Sequence, residues 1–256
     1  MEAALDTREL ETKVRKMYRD VAERPEGDYH FELGRPLAER LGYPAEVLDR
    51  IPAGAIESFA GVGYFFELAT LTEGESVIDL GSGSGMDVFF AAEGVGKSGS
   101  VVGVDFTVEQ LEKSRRIAEE AGYGQVEFRE GRIEQLPADA DAFDCVISNG
   151  VINLAPDKDV VFAEAFRVLK PGGRLAIADI VSREQLKESI VCDADLWASC
   201  IGGAAQEDAY RAAIEGAGLE IAVIRDNPYH FISERARDAS DKYGVRSVSL
   251  LATKPG

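Results

Sequence analysis

Three glycines at alternating positions, Gly81, Gly83 and Gly85, stand between an apolar run and a segment able to start a helix, in VIDLGSGSGMD from Val77 to Asp87. Without Cβ atoms such a turn lets a ligand approach the backbone, and a helix starting behind it offers unpaired N–H groups. The turn therefore predicts a site for a small nucleotide-like ligand, with tight packing as the other reading of the same glycines. Twenty residues beyond Gly85 a second apolar run, Val101 to Val104, ends in Asp105. A carboxylate at the tip of the second strand of an α/β sheet can accept from both hydroxyls of a ribose. Asp79, inside the first run, would repel a pyrophosphate but suits a ligand carrying an ammonium or a sulfonium. Met86 takes the last glycine position of a G-x-G-x-x-G signature, which counts against a nicotinamide dehydrogenase.

These residues need a sheet to hold them. Apolar runs recur at residues 76–80, 100–105, 126–129, 143–148 and 174–179, with helical stretches between most of them. The clearest helix is 108–121, where Leu111, Ser114, Ile117, Ala118 and Ala121 recur at helical spacing and Thr107 can cap the start. Strand, crossover helix and parallel strand in succession predict an α/β, doubly wound sheet with ligands at the carboxyl ends of its strands. Further on, helices are expected over 189–203 and 207–217, a sixth strand over 219–225 and a last one over 245–254. The excursion 227–244 between those strands is longer than a hairpin needs and is expected to shape a substrate pocket. Before the first strand, a helix over 7–22 with Leu10, Val14, Met17, Tyr18 and Val21 near one face, and shorter pieces over 36–41 and from Pro44, predict a helical cap. We divide the chain into that cap, 1–58, and one compact unit, 59–256.

The 256 residues are 45% hydrophobic, enough for a large α/β core. Forty-six acids against 28 bases give a formal charge of −18, which repels phosphate backbones and anionic membranes, so no nucleic-acid partner is expected. The opening MEAALDTRELETKVRK is charged throughout and no run is long enough to span a bilayer, so a cytoplasmic protein without membrane attachment is expected. Cys145, Cys192 and Cys200 are too few and too scattered for a disulfide framework or a CxxC zinc site; reduced thiols and no bound metal are expected. No oligomeric state follows from the sequence.

The acid followed by G-x-G-x-G, with a second acid closing the next strand, resembles the class I S-adenosylmethionine-dependent methyltransferases. ISNGVINLAPDK, residues 147–158, and FAEAFRVLKPGGRL, residues 162–175, are similar more narrowly to the arsenite methyltransferase family. The resemblance runs from about Ile51 to Leu219. It implies S-adenosylmethionine as cofactor and a Rossmann-like, mostly parallel sheet with an antiparallel last strand, covered by an N-terminal helical lid. It also implies roles. Asp79, Gly81, Ser82, Gly83 and Gly85 form the turn at the methionine half, Asp105 takes the ribose, and Phe106, Arg132 and Ile133 enclose the adenine. Asn149, Gly150 and Val151 face the sulfonium and the acceptor.

Methyl transfer from a sulfonium is an in-line displacement with an activated leaving group, so the protein mainly aligns donor and acceptor and excludes water. A base is needed only where the nucleophile arrives protonated. Asn149, Tyr64 and the two histidines, His30 in DYHFE and His230 in PYHFI, are the candidates for contact with reacting groups. The resemblance implies cysteine thiolates that hold arsenic, and here the sequence departs from it: Val62 stands in the expected glycine–cysteine–glycine turn and Gly150 in the expected SNCVINL, leaving Cys200 as the one match. One thiolate does not enclose a soft metalloid. The acceptor pocket is instead expected from Val62, Tyr64, Phe65, Gly150, Val151, Trp197, Cys200 and Tyr229, an apolar and aromatic wall suited to a small organic acceptor. Three other readings stay open: attack at the aminocarboxypropyl carbon with release of methylthioadenosine, arsenite methylation, and a non-catalytic adenosylmethionine-binding module.

Overall fold

The computed structural model describes residues 6–193, 196–197 and 201–256. Apolar runs become the strands β1 (Ser76–Leu80), β2 (Ser100–Asp105), β3 (Val126–Glu130), β4 (Phe143–Asn149) and β5 (Leu169–Ser182); β1, β2 and β4 are buried on both faces, whereas β3, at the sheet edge, buries only Phe128. Such two-sided burial is what a parallel sheet requires of its inner strands. They are followed by the two-residue β6 (Ala205–Gln206), β7 (Glu220–Asp226) and β8 (Arg246–Thr253). The order across the sheet is β3-β2-β1-β4-β5-β8-β7, with β6 beside β5. β1 to β5 run parallel, whereas β8 is antiparallel to both β5 and β7. The sheet is the mostly parallel, doubly wound one expected, with its last strand reversed. The reversal of strand order between β1 and β4 leaves a crevice outside their carboxyl ends, where such sheets bind ligands.

Two helices frame that crevice. α6 (Met86–Val95) starts directly behind the glycine turn and is buried on nearly every side, as a helix with Val88, Phe89, Phe90, Ala91 and Ala92 in succession must be. α7 (Val108–Ala121) is amphipathic and turns Gln110, Leu111, Ser114 and Ile117 inward; Thr107 occupies its cap position, but the Thr107 side chain makes no capping hydrogen bond.

The cap begins with α1 (Thr7–Glu23), whose first turn is closed by the Asp6 side chain accepting from the N–H groups of Arg8 and Glu9. The shorter helices α2 (Gly34–Leu41), α3 (Ala45–Leu48), α4 (Ala53–Ile56) and α5 (Phe66–Ala69) lead to β1. Leu10 and Val14 of α1 pack with Leu154 and Trp197, and the four shorter helices join the main core through Leu37, Leu48, Ile56 and Phe66. Two α7 side chains fasten α1: Gln110 donates to the Tyr18 carbonyl, and the Lys113 ammonium to the Ala22 carbonyl and the Ser58 hydroxyl.

Several elements differ from expectation. β5 runs five residues further at its start than the apolar run 174–179, through Pro171 and Gly172, and three further at its end. Of the helix expected over 189–203, the structure shows a four-residue helix, Glu188–Val191, which ends before Cys192 and Asp193, then the helical pair 196–197 and turns from 201; 194–195 and 198–200 lie outside the described residues. The excursion 227–244 contains the helix Glu234–Tyr243, capped by Ser233, which buries Ala236, Ala239 and Tyr243 in the core. Among the described residues no helix is long and apolar enough to cross a membrane.

Candidate active site

A cavity of about 200 Å³ occupies the crevice at the carboxyl ends of β1, β2 and β4. Its floor is the glycine turn, one end is Asp105, Phe106, Arg132 and Ile133, the other is Gly61, Asn149 and Val151, and α1 roofs it with Leu10, Glu11, Val14 and Tyr18. The cap thus belongs to the cavity wall.

The turn is shaped for close approach. Gly81 sits at φ +75°, a left-handed conformation that L side chains rarely adopt, and a Cβ there would collide with the Val151 side chain. Asp105 fastens the turn to β2: one carboxylate oxygen accepts from the Gly83 N–H at 2.9 Å and the other from the Thr107 N–H at 2.8 Å. The carboxylate is thereby oriented at the tip of β2, where the hydroxyls of a ribose would reach it. Burial raises its pKa, opposed by those backbone donors.

Asp79 differs. Its side chain is 3% exposed, and among the described residues none donates a hydrogen bond to its carboxylate. Burial, and then the carboxylates of Asp87 and Asp105, hold it well above the usual carboxylate range. The Ser82 hydroxyl beside it is likewise buried without a partner among the described residues. Buried acids are ordinarily paired, so an acid without a partner on the cavity wall fits a ligand that brings a cation, as the amino acid half of adenosylmethionine does.

At the far end the cap meets the sheet through charge. Arg132 Nη1 lies 2.9 Å from Glu11 Oε2, and the Arg15 guanidinium carbon stands 4.9 Å from the Phe106 ring centroid. One face of Phe106 is therefore taken by α1. Ile133 is buried against the same end of the cavity.

Residues 71–218 match a family described as a methyltransferase domain. The arsenite methyltransferase of Halobacterium salinarum is 39% identical over 220 residues, covering 85% of this chain and 56% of that protein. The arsenite methyltransferase of Aquipseudomonas alcaligenes is 47% identical over 142 residues, covering 52% of this chain and 41% of its own length. Among solved structures, CrArsM, an arsenic(III) S-adenosylmethionine methyltransferase from Chlamydomonas reinhardtii, is 31% identical with a TM-score of 0.65, covering 87% of this chain and 74% of that one. The chain belongs to the class I S-adenosylmethionine-dependent methyltransferases, in their arsenite methyltransferase-like family. It spans about half the length of the two arsenite methyltransferases compared by sequence. The cofactor of that family is S-adenosylmethionine, and the open acid, the glycine turn and the oriented Asp105 fit it.

Of the methyltransferase residues expected from sequence, Asp79, Gly81, Ser82, Gly83, Gly85, Asp105, Phe106, Arg132, Ile133, Asn149 and Val151 line the one cavity. The remaining candidates stand elsewhere. Gly150 and Val62 lie behind Asn149 and against each other: a Cβ on Gly150 would stand 3.1 Å from Val62 Cγ1. Phe65 is fully buried, its ring stacked on Phe66 at 4.7 Å, so it is core and not wall. Tyr64 is half-buried edge-on to Tyr43. Trp197 packs behind Leu10, Val14 and Leu154, with the Lys158 ammonium 5.0 Å from its ring centroid; burial lowers that lysine to about 8. Tyr229 packs edge-on to Phe231 outside the cavity lining, His230 is exposed, and His30 packs edge-on to Phe31 in the cap. Neither histidine reaches the cavity wall. Cys145 is core within β4, where burial pushes its thiol up to about 12, and Cys200 lies outside the described residues.

Among the wall residues that carried no expectation as site residues, Asp87 and Gln110 matter most. Asp87 opens α6 and reads as an ordinary first-turn acid, yet it is 5% exposed and lines the cavity. Gln110 reads as a polar position on an amphipathic helix; its place beside Leu111 and one turn before Ser114, on the inward face, was the available signal.

Proposed function

We propose that this chain transfers the methyl group of S-adenosylmethionine to a small organic acceptor, and that arsenite is not that acceptor. The observation that carries the second half is the contact of Val62 with Gly150. These are the two positions where the family resemblance implies thiolates, they meet in space beside Asn149, and they present methyl groups and a hydrogen. A soft trivalent centre has no sulfur ligands there to hold it. The cavity wall near Asn149 is instead built from Leu10, Val14, Phe59, Val151 and Leu154, which favours an acceptor with an apolar body.

Bound adenosylmethionine supplies a sulfonium-activated methyl group. The chain supplies alignment: Asp79 for the ammonium, Asp105 for the ribose and Asn149 beside the transfer end, under a cap that excludes water.

Incubation of the purified protein with adenosylmethionine and a panel of apolar thiols, amines and phenols, with arsenite plus a small thiol as a separate arm, tests the reading when the nucleoside product is identified by mass. Acceptor-dependent adenosylhomocysteine from the organic panel is expected. Efficient methylation of arsenite would refute the acceptor assignment, methylthioadenosine formed without acceptor would move the attack to the aminocarboxypropyl carbon, and tight binding without product would leave a binding module.

A further inference from the structure

Behind the transfer end of the cavity four segments meet at one side-chain amide. Asn149, at the end of β4, accepts at Oδ1 from the N–H groups of Val62 at 2.7 Å and Gly63 at 3.3 Å. The two hydrogens of its Nδ2 are shared among three acceptors, the Gly63 carbonyl at 3.0 Å, Asp87 Oδ2 at 3.0 Å and the Tyr43 hydroxyl at 3.1 Å. The Tyr43 hydroxyl in turn donates to Asp87 Oδ1 at 2.6 Å. The loop 61–64 is also held from its other side, where Ser247 donates to the Val62 carbonyl and Ser249 to that of Tyr64. The loop lies so close to the amide that a Cβ on Gly61 would stand 2.6 Å from Asn149 Nδ2. Gly61 itself lines the cavity.

An amide is nearly symmetric in shape, and which end faces which partner is decided by its surroundings. An ionised carboxylate accepts only. Facing Asp87, the amide must present Nδ2, which leaves Oδ1 for the two loop N–H groups; the same logic makes Tyr43 donate to Asp87 and keep a lone pair for Nδ2. A second acid beside the open Asp79 is unfavourable for the cavity in itself, because the two repel. Both of its oxygens are held, one by the Tyr43 hydroxyl and the other by Asn149 Nδ2.

We propose that Asp87 is a positioning residue for the transfer reaction: anchored by Tyr43, it sets the Asn149 amide, and through it fixes the Gly61–Tyr64 loop against the transfer end of the cavity. This rests on the methyltransferase reading of that cavity. The groups facing Asp87 are the Tyr43 phenol from the cap, the Asp79 carboxylate from β1 with Asp105 of β2 beyond it, and the Tyr64 phenol from the loop. Burial holds Asp87 up to about 6, and the hydrogen bonds from Tyr43 and Asn149 oppose the rise.

The Val62 and Gly63 amide protons report the arrangement without an acceptor. Their exchange, divided by the intrinsic rate at each pH, is followed by NMR on the full chain with adenosylhomocysteine bound. Asp87→Asn is expected to lower the protection of both at least tenfold, in the bound protein and in the free protein alike. The double variant Asp87→Asn, Asn149→Ala is expected to lose no more protection than Asn149→Ala alone. Wild-type protection is expected to fall as pH is lowered from 7.5 to 5 and to stay flat in Asp87→Asn, a response that a purely structural role would not give. Unchanged protection, additive losses, or a pH response of the two amides that persists in Asp87→Asn would overturn the proposal. Should Asp87→Asn fail to fold, Tyr43→Phe, with an expected smaller loss at the same two amides, and the wild-type pH series decide it. Failure of the wild type to bind adenosylhomocysteine would instead sink the methyltransferase reading, and the same amides in the free protein would still test Asp87.

Discussion

Gln110 and Tyr18 are 92 residues apart in sequence, and the Gln110 side-chain amide donates to the Tyr18 carbonyl at 2.7 Å, holding α1 over the cavity from α7. The Gln110 oxygen also accepts from the Ser84 hydroxyl in the glycine turn, so one buried side chain joins roof to floor. The Glu11–Arg132 pair makes a parallel link at the rim, with the arginine side chain 52% exposed. Gln110→Ala leaves buried groups unpaired and should cost about 2 kcal/mol of stability, whereas Arg132→Ala removes an exposed pair worth less than about 1 kcal/mol. We expect adenosylhomocysteine to dissociate several-fold faster from Gln110→Ala, and only slightly faster from Arg132→Ala, with the latter effect shrinking as salt rises. Denaturant melts and stopped-flow dissociation measure both; a larger effect at Arg132 would mean that the rim, not the buried tether, holds the cap.

Asp79→Asn should separate binding from stability. The wild-type carboxylate waits unpaired, held well above its usual range, and gains a partner when an ammonium arrives. A charge-assisted hydrogen bond of about 1.5–3 kcal/mol corresponds to a roughly ten- to hundredfold loss of donor affinity in the variant. Binding at neutral pH should also release a proton from Asp79, so the calorimetric enthalpy should vary with the ionisation heat of the buffer in the wild type and much less in Asp79→Asn. Equal buffer dependence in the two proteins would show that the ammonium is held elsewhere.

The free protein should show the cost of that acid. A carboxyl whose folded pKa is raised keeps its proton where the unfolded chain has lost it. Between the ordinary carboxylate range and the raised value the native state binds more protons, so this group's contribution to stability falls as pH rises. The Tm of Asp79→Asn minus that of the wild type should therefore be smallest near pH 4 and grow toward pH 7.5. Because the Asp79 carboxylate accepts no hydrogen bond among the described residues, the comparison is not clouded by lost partners. A difference that shrinks with rising pH would contradict a raised pKa at this position.

What the sequence showed of this site was what lies close together in it. Asp79, the glycine turn and Asp105 fall within one βαβ stretch, where spacing along the chain is nearly spacing in the fold. Tyr43 and Asn149 are 106 residues apart and meet only because the cap folds back on the sheet, so nothing local marks either as a partner of Asp87. Phe65 and Phe59 are both aromatics before β1, and composition does not tell that the first is core and the second cavity wall. The strands were legible from apolar runs, except for the first five residues of β5, which include Pro171 and Gly172, and the two-residue β6.

If Val62 and Gly150 exclude arsenite, restoring sulfur at both should admit it. Val62→Cys places a thiol of similar bulk in a buried slot. Gly150→Cys must accept φ +72°, at a cost on the order of 1–3 kcal/mol, and its Cβ would lie close to the side chain at position 62, which brings the two sulfurs together. Under a reductant that keeps them from forming a disulfide, each single variant offers one added thiolate and should bind arsenite no better than about tenfold above the wild type. The double variant presents a pair of soft ligands side by side and should retain arsenite through desalting, read as an added mass on the intact protein. Retention by the wild type equal to that of the double variant would mean that the metalloid is held at other residues, and the exclusion of arsenite as acceptor would fall with it.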